Sequence, residues 1–375
     1  MKRNQEIKWR SAGLVAGVMQ GALKNNQLTR AHPAVPVYPD RQQDSSSQGR
    51  LIMKKATAIA AVALVALLIM FPPGVFASEP AAADVDYPLT RVTDRVYVIY
   101  GPFDLPNKAN HGFRNNPVIV LTSAGVVVFD PGGCPWAGEF VTRKIKSITG
   151  DPVVAVFNSH AHGDHWLGNE GIKRAYPEAV IYGHPVMKDR VAGSEGNFWL
   201  AQIEQLTGGT AGGRQVIAPD RNVNDGDVIA IGDTRFRIYH TGAAHTDSDI
   251  MIEIVGQNAL FTGDVIRNGL LGIMEADASF AGNIAAIDVI AGKKFDYYIP
   301  GHGHVGDVEM ALNYRTYLDT LLSIVRELYA RQLADYEMKP MVTDAVSAYS
   351  DWAGFDIRVG PHVSRAYLEV EMEEF

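Results

Sequence analysis

The chain of 375 residues is poor in cysteine and in long apolar runs, and its larger part is poor in positive charge. With Cys134 as its single cysteine, it cannot form an intrachain disulfide. Residues 1–77 carry ten Lys or Arg and three Asp or Glu, net +7, so residues 78–375 carry −15 of a total of −8. Nucleic-acid binding needs clustered Lys and Arg. Because residues 78–375 are strongly acidic, we do not expect nucleic acid as a partner. No Lys or Arg cluster in the sequence indicates an anionic substrate either.

The longest apolar run, residues 56–71, has 16 residues, fewer than the roughly 20 that a spanning helix needs. It follows Met53-Lys-Lys and precedes Val75-Phe-Ala77, so we expect a signal peptide over 53–77, cleaved after Ala77. An uncleaved anchor is the alternative. The expected location is periplasmic or secreted, with no stable membrane insertion after cleavage.

Such a signal belongs at the start of a chain, yet residues 1–52 precede this one. We therefore interpret 1–52 as a non-native upstream extension, with translation beginning at Met53. Residues 78–90 are expected to form a flexible N-terminus.

The composition, with 47% hydrophobic residues and 36 Gly, suits one large α/β domain with extensions. Alternating or short apolar runs predict strands over 91–101, 118–121, 126–129, 152–157, 179–182, 227–231, 235–240, 250–255, 259–262 and 296–299. Helical spacing predicts helices over 136–148, 171–176, 198–206, 280–290, 308–333 and 362–371. We expect a main domain over 91–310 and a C-terminal helical extension, 311–375, packed on it.

A run of metal-ligand residues follows the predicted strand 152–157: His160-Ala-His162-Gly-Asp164-His165. Imidazole and carboxylate groups are good ligands for zinc and other first-row metals. On a turning segment, His160 and His162 can point to one side, while Asp164 and His165 turn toward a second position a few ångströms away. The run thus predicts two half-built metal sites.

Three further ligand-type residues, His245, Asp264 and His302, lie at or near the ends of apolar runs and are flanked by glycine. Together with the first run they can be divided into two sites with one carboxylate between them. The predicted sites are His160, His162 and His245; Asp164, His165 and His302; and Asp264 between the two.

This pattern resembles the metallo-β-lactamase superfamily over about residues 90 to 305. The resemblance implies an α/β (α+β) fold, the four-layer αβ/βα sandwich, with a dinuclear site at one edge of its two sheets. It also implies a complete glyoxalase-II-like ligand set with Asp264 bridging. Many true β-lactamases of the family have Cys or Ser in the region of Asp264, so this departure favours the thioesterase and related branches.

Some loops, such as Asn115-Asn-Pro117 and Trp166-Leu-Gly-Asn169, look like those of periplasmic hydrolases associated with sulfur-oxidation or quinoprotein systems. The expected function is an exported hydrolase with two zinc ions, or iron in their place. A metal-bridging hydroxide would attack a thioester, lactone or related acyl substrate, with weak β-lactamase activity as a side reaction. Asp164 is the expected catalytic residue, orienting that hydroxide and taking part in proton movement.

Two other functions remain as alternatives. One is a persulfide dioxygenase with a single Fe(II) held by His162 or His160, His245 and Asp264. The other is a non-enzymatic metal-dependent binding protein, which the intact ligand set disfavours. A small molecule is the expected partner, and the sequence leaves the oligomeric state open.

Several residues are candidates for supporting roles. Asp130 is a candidate to orient an imidazole, and a helix or turn cap is its alternative role. Asp247 and Asp249 are weaker candidates, for which we expect capping or solvent exposure. His111 either faces the substrate or lies in an exposed loop. Residues 185–215 form either a lid, with Phe198 or Trp199 contacting substrate, or a surface excursion. The remaining expectations are non-ligand roles for His240 and His304, a structural role for His184 and a partly buried loop position for Cys134.

Overall fold

A computed structural model describes residues 85–213 and 215–374. The predicted upstream extension 1–52 and signal peptide 53–77 lie outside the described residues, as does the first part of segment 78–90. Residues Ser78–Phe375 group as one compact unit. The strands are β1 (Leu89–Arg91), β2 (Val96–Ile99), β3 (Val118–Thr122), β4 (Gly125–Phe129), β5 (Val153–Phe157), β6 (Val180–Gly183), β7 (Arg221–Asn222), β8 (Val228–Ile231), β9 (Thr234–Tyr239), β10 (Met251–Val255), β11 (Ala259–Gly263) and β12 (Tyr297–Pro300). The helices are α1 (Pro135–Lys146), α2 (Gly163–Trp166), α3 (Asn169–Ala175), α4 (Pro185–Ala192), α5 (Ser194–Thr207), α6 (Phe280–Ala291), α7 (Val308–Ala330), α8 (Asp335–Ala345) and α9 (Phe355–Glu373).

Two sheets form the centre of the domain. The first has seven strands in sequence order, β1 to β7, antiparallel from β1 to β4 and parallel from β4 to β7. The second has the order β12-β11-β10-β9-β8, in which only β11 and β12 are parallel. The predicted hairpin of β3 and β4 is confirmed, with Val118 opposite Phe129.

The inner faces of the two sheets pack on each other. Phe129 and Phe157 from the first sheet meet Phe236 and Phe261 from the second, with ring centroids 5.4–5.8 Å apart. A second apolar cluster lies between the first sheet and helices such as α1, and a third between the second sheet and the helices α6 to α9. The layer order is therefore helix, sheet, sheet, helix, which confirms the predicted four-layer sandwich.

The C-terminal helices pack on the second sheet's outer side. Helix α7 begins after Asp307, whose carboxylate accepts a hydrogen bond from the amide of Glu309 at 3.0 Å, a typical N-cap. Its buried residues recur three or four positions apart, as an amphipathic helix requires. Among the described residues, no helix combines the length and apolar composition needed to cross a bilayer.

The structure differs from the predicted elements at several points. The single strand expected over 91–101 is two short strands, β1 and β2, separated by a turn. Helix α4, within the unclear segment 185–215, and helix α8 were not predicted. The last helix begins at Phe355 rather than 362, although Pro361 lies inside it.

Candidate metal centre

All seven predicted ligands lie at one edge of the sandwich, where strands end. Strand β5 leads into His160, and after His162 the chain enters the single turn α2, which carries Asp164 and His165. His245 lies in the loop between β9 and β10. Asp264 directly follows β11, and His302 follows β12 after one intervening residue.

The first cluster is formed by three buried histidines. His162 Nδ1 lies 3.2 Å from His160 Nε2 and 3.0 Å from His245 Nε2. Three ring nitrogens thus converge on one point, and a ring nitrogen can act as a metal ligand only when it carries no proton. This is the arrangement of a three-histidine metal site.

The second cluster combines a carboxylate with two histidines. Asp164 Oδ2 lies 3.2 Å from His302 Nε2, and His165 Nε2 lies 3.3 Å from the same nitrogen. Asp164 Oδ1 lies 3.7 Å from His165 Nε2. The structure therefore brings together the predicted second set.

Asp264 lies between the two clusters, as predicted. Its Oδ2 atom is near the Nε2 atoms of four histidines, at 3.5 Å from His165 and His245, 3.6 Å from His302 and 3.9 Å from His160. The other carboxylate oxygen, Oδ1, is buried without a hydrogen-bond partner among the described residues. Because an unpaired buried carboxylate oxygen is costly, this atom fits a cation ligand.

A glycine makes room for this carboxylate. A side chain at Gly301, the residue before His302, would collide with Asp264 Oδ1 and come within 2.9 Å of His165 Cε1. The glycine that flanks His302 in the sequence therefore allows the backbone to lie directly against the ligand set.

One carboxylate supports a histidine of each cluster. Asp130 Oδ2 accepts a hydrogen bond from His165 Nδ1 at 2.8 Å and another from Ser159 Oγ at 2.6 Å. Ser159 Oγ in turn lies 2.9 Å from His160 Nδ1. These contacts leave Nε2 of both histidines facing the site, so the predicted orienting role of Asp130 agrees with the geometry. His302 Nδ1 is held in the same way, 3.1 Å from the backbone carbonyl of Arg114.

The protonation states of two histidines and of Asp264 suit metal ligands. Burial lowers the pKa of His160 and His245 well below the usual value, with nearby charges adding to the effect. Burial alone would raise the pKa of Asp264, but Arg267 and the adjacent histidines hold it well below its usual range. Neutral imidazoles and an ionised carboxylate are the forms that bind divalent cations.

His165 differs from these residues. Burial alone would lower its pKa, but the carboxylates of Asp264, Asp164 and Asp130 raise it well above its usual value. This ring must therefore lose a proton to bind a metal.

The two weaker carboxylate candidates shape the loop that carries His245. Asp249 accepts hydrogen bonds from the amide of Thr246 at 2.7 Å and from its hydroxyl at 2.9 Å, and burial raises its pKa to about 7. Asp247 pairs with Arg190 at 2.6 Å. Neither contacts a ligand-set ring by hydrogen bond, so both act on the loop rather than on an imidazole.

The other histidines and the cysteine lie outside the two clusters. The ring of His111 stacks on Trp136 with centroids 4.6 Å apart, so it neither faces the cavity nor lies free in a loop. His184 and His240 stack on each other at 4.0 Å, and His304 packs on Tyr100. These rings do not join either cluster, and their non-ligand roles stay predictions.

Cys134 is fully buried rather than partly buried. It caps the start of α1, where its sulfur accepts a hydrogen bond from the Ala137 amide at 3.3 Å. Burial raises the pKa of the thiol to about 12, so it is not a reactive nucleophile.

A cavity of about 300 Å³ opens onto the ligand set. Asp164, Asp264 and His162 lie in its lining, and α5 supplies an apolar wall that includes Phe198 and Trp199. The interpretation of segment 185–215 as a cover over the site is thus supported, and the surface excursion is not.

The cavity also contains basic residues that sequence reasoning missed. Arg114, Arg267 and Arg358 line it, although no cluster of basic residues is visible in the sequence. Of these three arginines, only Arg267 could have been placed near the site from the sequence, because it lies three residues after Asp264. Arg358 comes from α9, far along the chain, and only tertiary packing brings it to the site.

A sequence model described as the metallo-beta-lactamase superfamily matches residues 111–302, just over half of the chain, and ends at His302 itself. The chain belongs to the metallo-β-lactamase superfamily. Among the solved structures that it resembles is a metallo-β-lactamase from Pontibacter korlensis, with a TM-score of 0.50 and 21% identity, covering 62% of this chain and 99% of that one. Another is the stereoselective inverting sec-alkylsulfatase Pisa1 from Pseudomonas sp., with a TM-score of 0.56 and 17% identity, covering 76% of this chain and 50% of that one.

The chain is also similar to curated proteins that are named as hydrolases. Hydroxyacylglutathione hydrolases from Francisella tularensis subsp. holarctica and Francisella tularensis subsp. novicida are each 24% identical over 170 residues, which is 45% of this chain and 54% of the relative. The chain thus spans about half the length of the curated relatives it matches. As a superfamily member with a three-histidine cluster and an Asp-His-His cluster, this chain has donor sets that suit divalent metal ions.

Proposed function

We propose that this hydrolase binds two zinc ions through the seven clustered residues and cleaves a thioester, lactone or related acyl substrate outside the cytoplasm. The observation that carries the proposal is the position of Asp264, whose Oδ2 lies 3.5–3.9 Å from imidazole nitrogens of both clusters. A single carboxylate oxygen between two complete donor sets favours two adjacent cations over one. When bound, such a pair supplies Lewis acidity and lowers the pKa of water toward neutrality.

Asp164 is the proposed proton-handling residue. Its side chain is 18% exposed and lines the cavity, whereas the side chain of Asp264 is only 1% exposed. Burial would raise the pKa of Asp164, but His165, His302 and Arg114 keep it well below the usual range. It is therefore ionised, and its carboxylate in the cavity lining can orient a water molecule and take part in proton movement.

The thioester is the first substrate class to test. The relatives named hydroxyacylglutathione hydrolases support it, and so does the ability of zinc to accept a sulfur leaving group. The proposed location depends on the charged and apolar segment 53–77, which lies outside the described residues. Cell fractionation and N-terminal sequencing of the exported protein test it, and a start at Ser78 is expected.

Metal analysis of the full chain, purified without added metal, tests the centre. About two zinc ions per chain are expected, together with hydrolysis of a hydroxyacyl thioester in a panel that includes a lactone and a β-lactam. Asp264→Asn should lose metal and activity, whereas His304→Ala, a change at an exposed histidine outside both clusters, should lose neither. About one iron per chain and no hydrolysis would instead indicate the persulfide dioxygenase alternative.

A further inference from the structure

Three guanidinium groups from distant parts of the chain line the cavity beside the ligand set. Arg114 lies in the loop between β2 and β3, Arg267 follows β11, and Arg358 lies in the first turn of α9. Three cations around one cavity repel one another unless each has a counter-charge. Their partners therefore decide what the cavity can bind.

Two of the arginines already face carboxylates of the site. Arg267 is 4% exposed and donates a hydrogen bond to Asp264 Oδ2, while its Nε atom has no partner among the described residues. Arg114 Nε lies 3.7 Å from Asp164 Oδ2, beyond hydrogen-bond distance. Both arginines thus keep donor capacity that the protein does not use.

Arg358 has no such partner. Among residues 85–213 and 215–374, no carboxylate lies within ion-pair distance of its guanidinium and no side-chain hydrogen bond fixes it. Burial lowers its pKa, and the charges of Arg114 and Arg267 lower it further. A half-buried cation held near two others is unfavourable by itself, and a bound anion would relieve that cost.

The other acidic groups of the cavity form no ion pair with Arg358. Glu275 lies 3.8 Å from His162 Nε2 and its side chain is 41% exposed, so water screens its charge. Asp164 and Asp264 belong to the proposed ligand set. The positive charge of Arg358 is therefore not balanced by the acidic residues that share the cavity.

In addition to these charges, the cavity lining has apolar side chains that are open to solvent. Phe198, Leu105 and Leu206 line the cavity and are 57%, 53% and 47% exposed. Trp199 and Leu271 extend the same surface inward. Large apolar side chains are rarely left exposed in a cluster unless something covers them, and a cavity with an apolar lining and few polar groups is typical of a ligand site.

We propose that Arg358, together with Arg114 and Arg267, forms a subsite for the oxyanion group of an amphiphilic monoanionic substrate, whose apolar part lies against Phe198, Leu105 and Leu206. Guanidinium groups suit this role because they bind carboxylates and related oxyanions in a bidentate manner. The subsite deepens the proposed function, since it places a negative charge of the acyl substrate beside the metal centre. Arg358 is a specificity-determining residue in this scheme and takes no part in bond cleavage.

Binding of octanoate, octanamide and octylamine to the metal-loaded full chain, measured by calorimetry, tests the subsite. Octanoate should bind at least tenfold more tightly than octanamide, and octylamine most weakly. Arg358→Gln should weaken octanoate binding about tenfold and leave octanamide unchanged, with Arg358→Lys in between. The matched control is Arg326→Gln, because Arg326 lies far from the cavity. It pairs with Glu373, which is 15 residues, or about 22 Å, from Arg358 along α9. Each methylene group added to the alkanoate and buried in the cavity should tighten binding by up to about fourfold. The gain per methylene group should be smaller in Phe198→Ala.

Two results would overturn the proposal: equal binding of octanoate and octanamide by the wild type, or octanoate affinity within twofold of wild type in Arg358→Gln. The first comparison needs no variant, so it can overturn the proposal even if Arg358→Gln fails to fold. Metal content and thioester hydrolysis are measured separately. A chain without zinc or hydrolase activity that still binds octanoate through Arg358 contradicts the proposed function and keeps the subsite.

Discussion

Replacing Asp130 with asparagine removes one charge from behind the proposed metal centre without changing the shape of the side chain. Asp130 has a φ of +46°, a left-handed conformation that asparagine tolerates well, so the backbone should not change. Oδ1 accepts the Ser159 amide at 2.7 Å, and Oδ2 accepts both Ser159 Oγ and His165 Nδ1. Every partner that faces this carboxylate therefore acts as a donor.

An asparagine side chain satisfies these donors in neither orientation, because one of its two polar atoms is itself a donor. With its NH₂ group at the Oδ2 position, the asparagine presents a donor to two other donors, His165 Nδ1 and Ser159 Oγ. With the NH₂ group at the Oδ1 position, it presents a donor to the Ser159 amide. A hydrogen bond to a charged group is worth about 1.5–3 kcal/mol. Loss of an outer partner of a metal-ligating histidine typically costs about 10–100-fold in metal affinity, or about 1.4–2.8 kcal/mol. The two estimates agree, and we expect a loss of this size for zinc.

The affinity is measured by competition with a fluorescent zinc chelator, for both metal equivalents. Because Asp130 reaches His165 directly and His160 through Ser159, both equivalents should weaken, the one bound by His165 more strongly. Asp249→Asn is the control. Asp249 is also buried, but its Oδ1 atom faces the Thr246 hydroxyl, and a hydroxyl can accept a hydrogen bond from the NH₂ group of an asparagine instead of donating one.

Unchanged zinc affinity in Asp130→Asn, within about threefold of wild type for both equivalents, would refute this reasoning. An equal loss in Asp249→Asn would also refute it, because the effect would then reflect general destabilisation of the site. Thermal unfolding of both metal-free variants separates the two cases.

Three further outcomes are expected. Gly301→Ala should displace Asp264 and reduce zinc content below two per chain in elemental analysis, and full retention of both ions would contradict the close contact. Cys134, with its pKa raised to about 12 by burial, should react with a thiol reagent only when the chain unfolds, so labelling in native buffer would contradict its position. Burial lowers the pKa of His362 to about 4 in the folded chain, below the value of about 6.5 expected in the unfolded chain. The contribution of the neutral imidazole to the free energy of unfolding is therefore complete above about pH 6.5 and is lost as the pH falls toward 4. Denaturant unfolding should show a loss of about 3 kcal/mol over that range, and less in His362→Gln, in which Tyr317 keeps a polar partner.

Much of the candidate centre could be predicted because its donors are tied to regular features of the sequence. Four of them lie in one six-residue run, and the others follow apolar strands whose ends meet at one sheet edge. The sequence also placed Asp130 correctly, at the end of β4 beside β5, since neighbouring parallel strands bring their ends together. Local pattern and global fold agree at these positions.

The cavity could not be predicted in the same way. Arg358 reaches the site only because α7 and α9 pack against the second sheet, and no local pattern records that packing. His111 was misjudged for a related reason: its ring stacks on Trp136 from α1, a tertiary contact that competes with both sequence interpretations. Helix α8 was missed because its only fully buried residues, Met338 and Val342, give a weak periodic signal.

The metal donors and the cavity walls come from separate parts of the chain. Every clustered histidine and aspartate lies in a loop or in the single turn α2 at the end of the central strands, whereas α5 and α9 supply Phe198, Trp199 and Arg358 but no donor. Directed evolution can therefore draw on two independent sets of positions. Libraries at the wall should yield variants with new substrate ranges that still fold and bind metal, while substitutions in the strand-end loops should abolish turnover for every substrate alike.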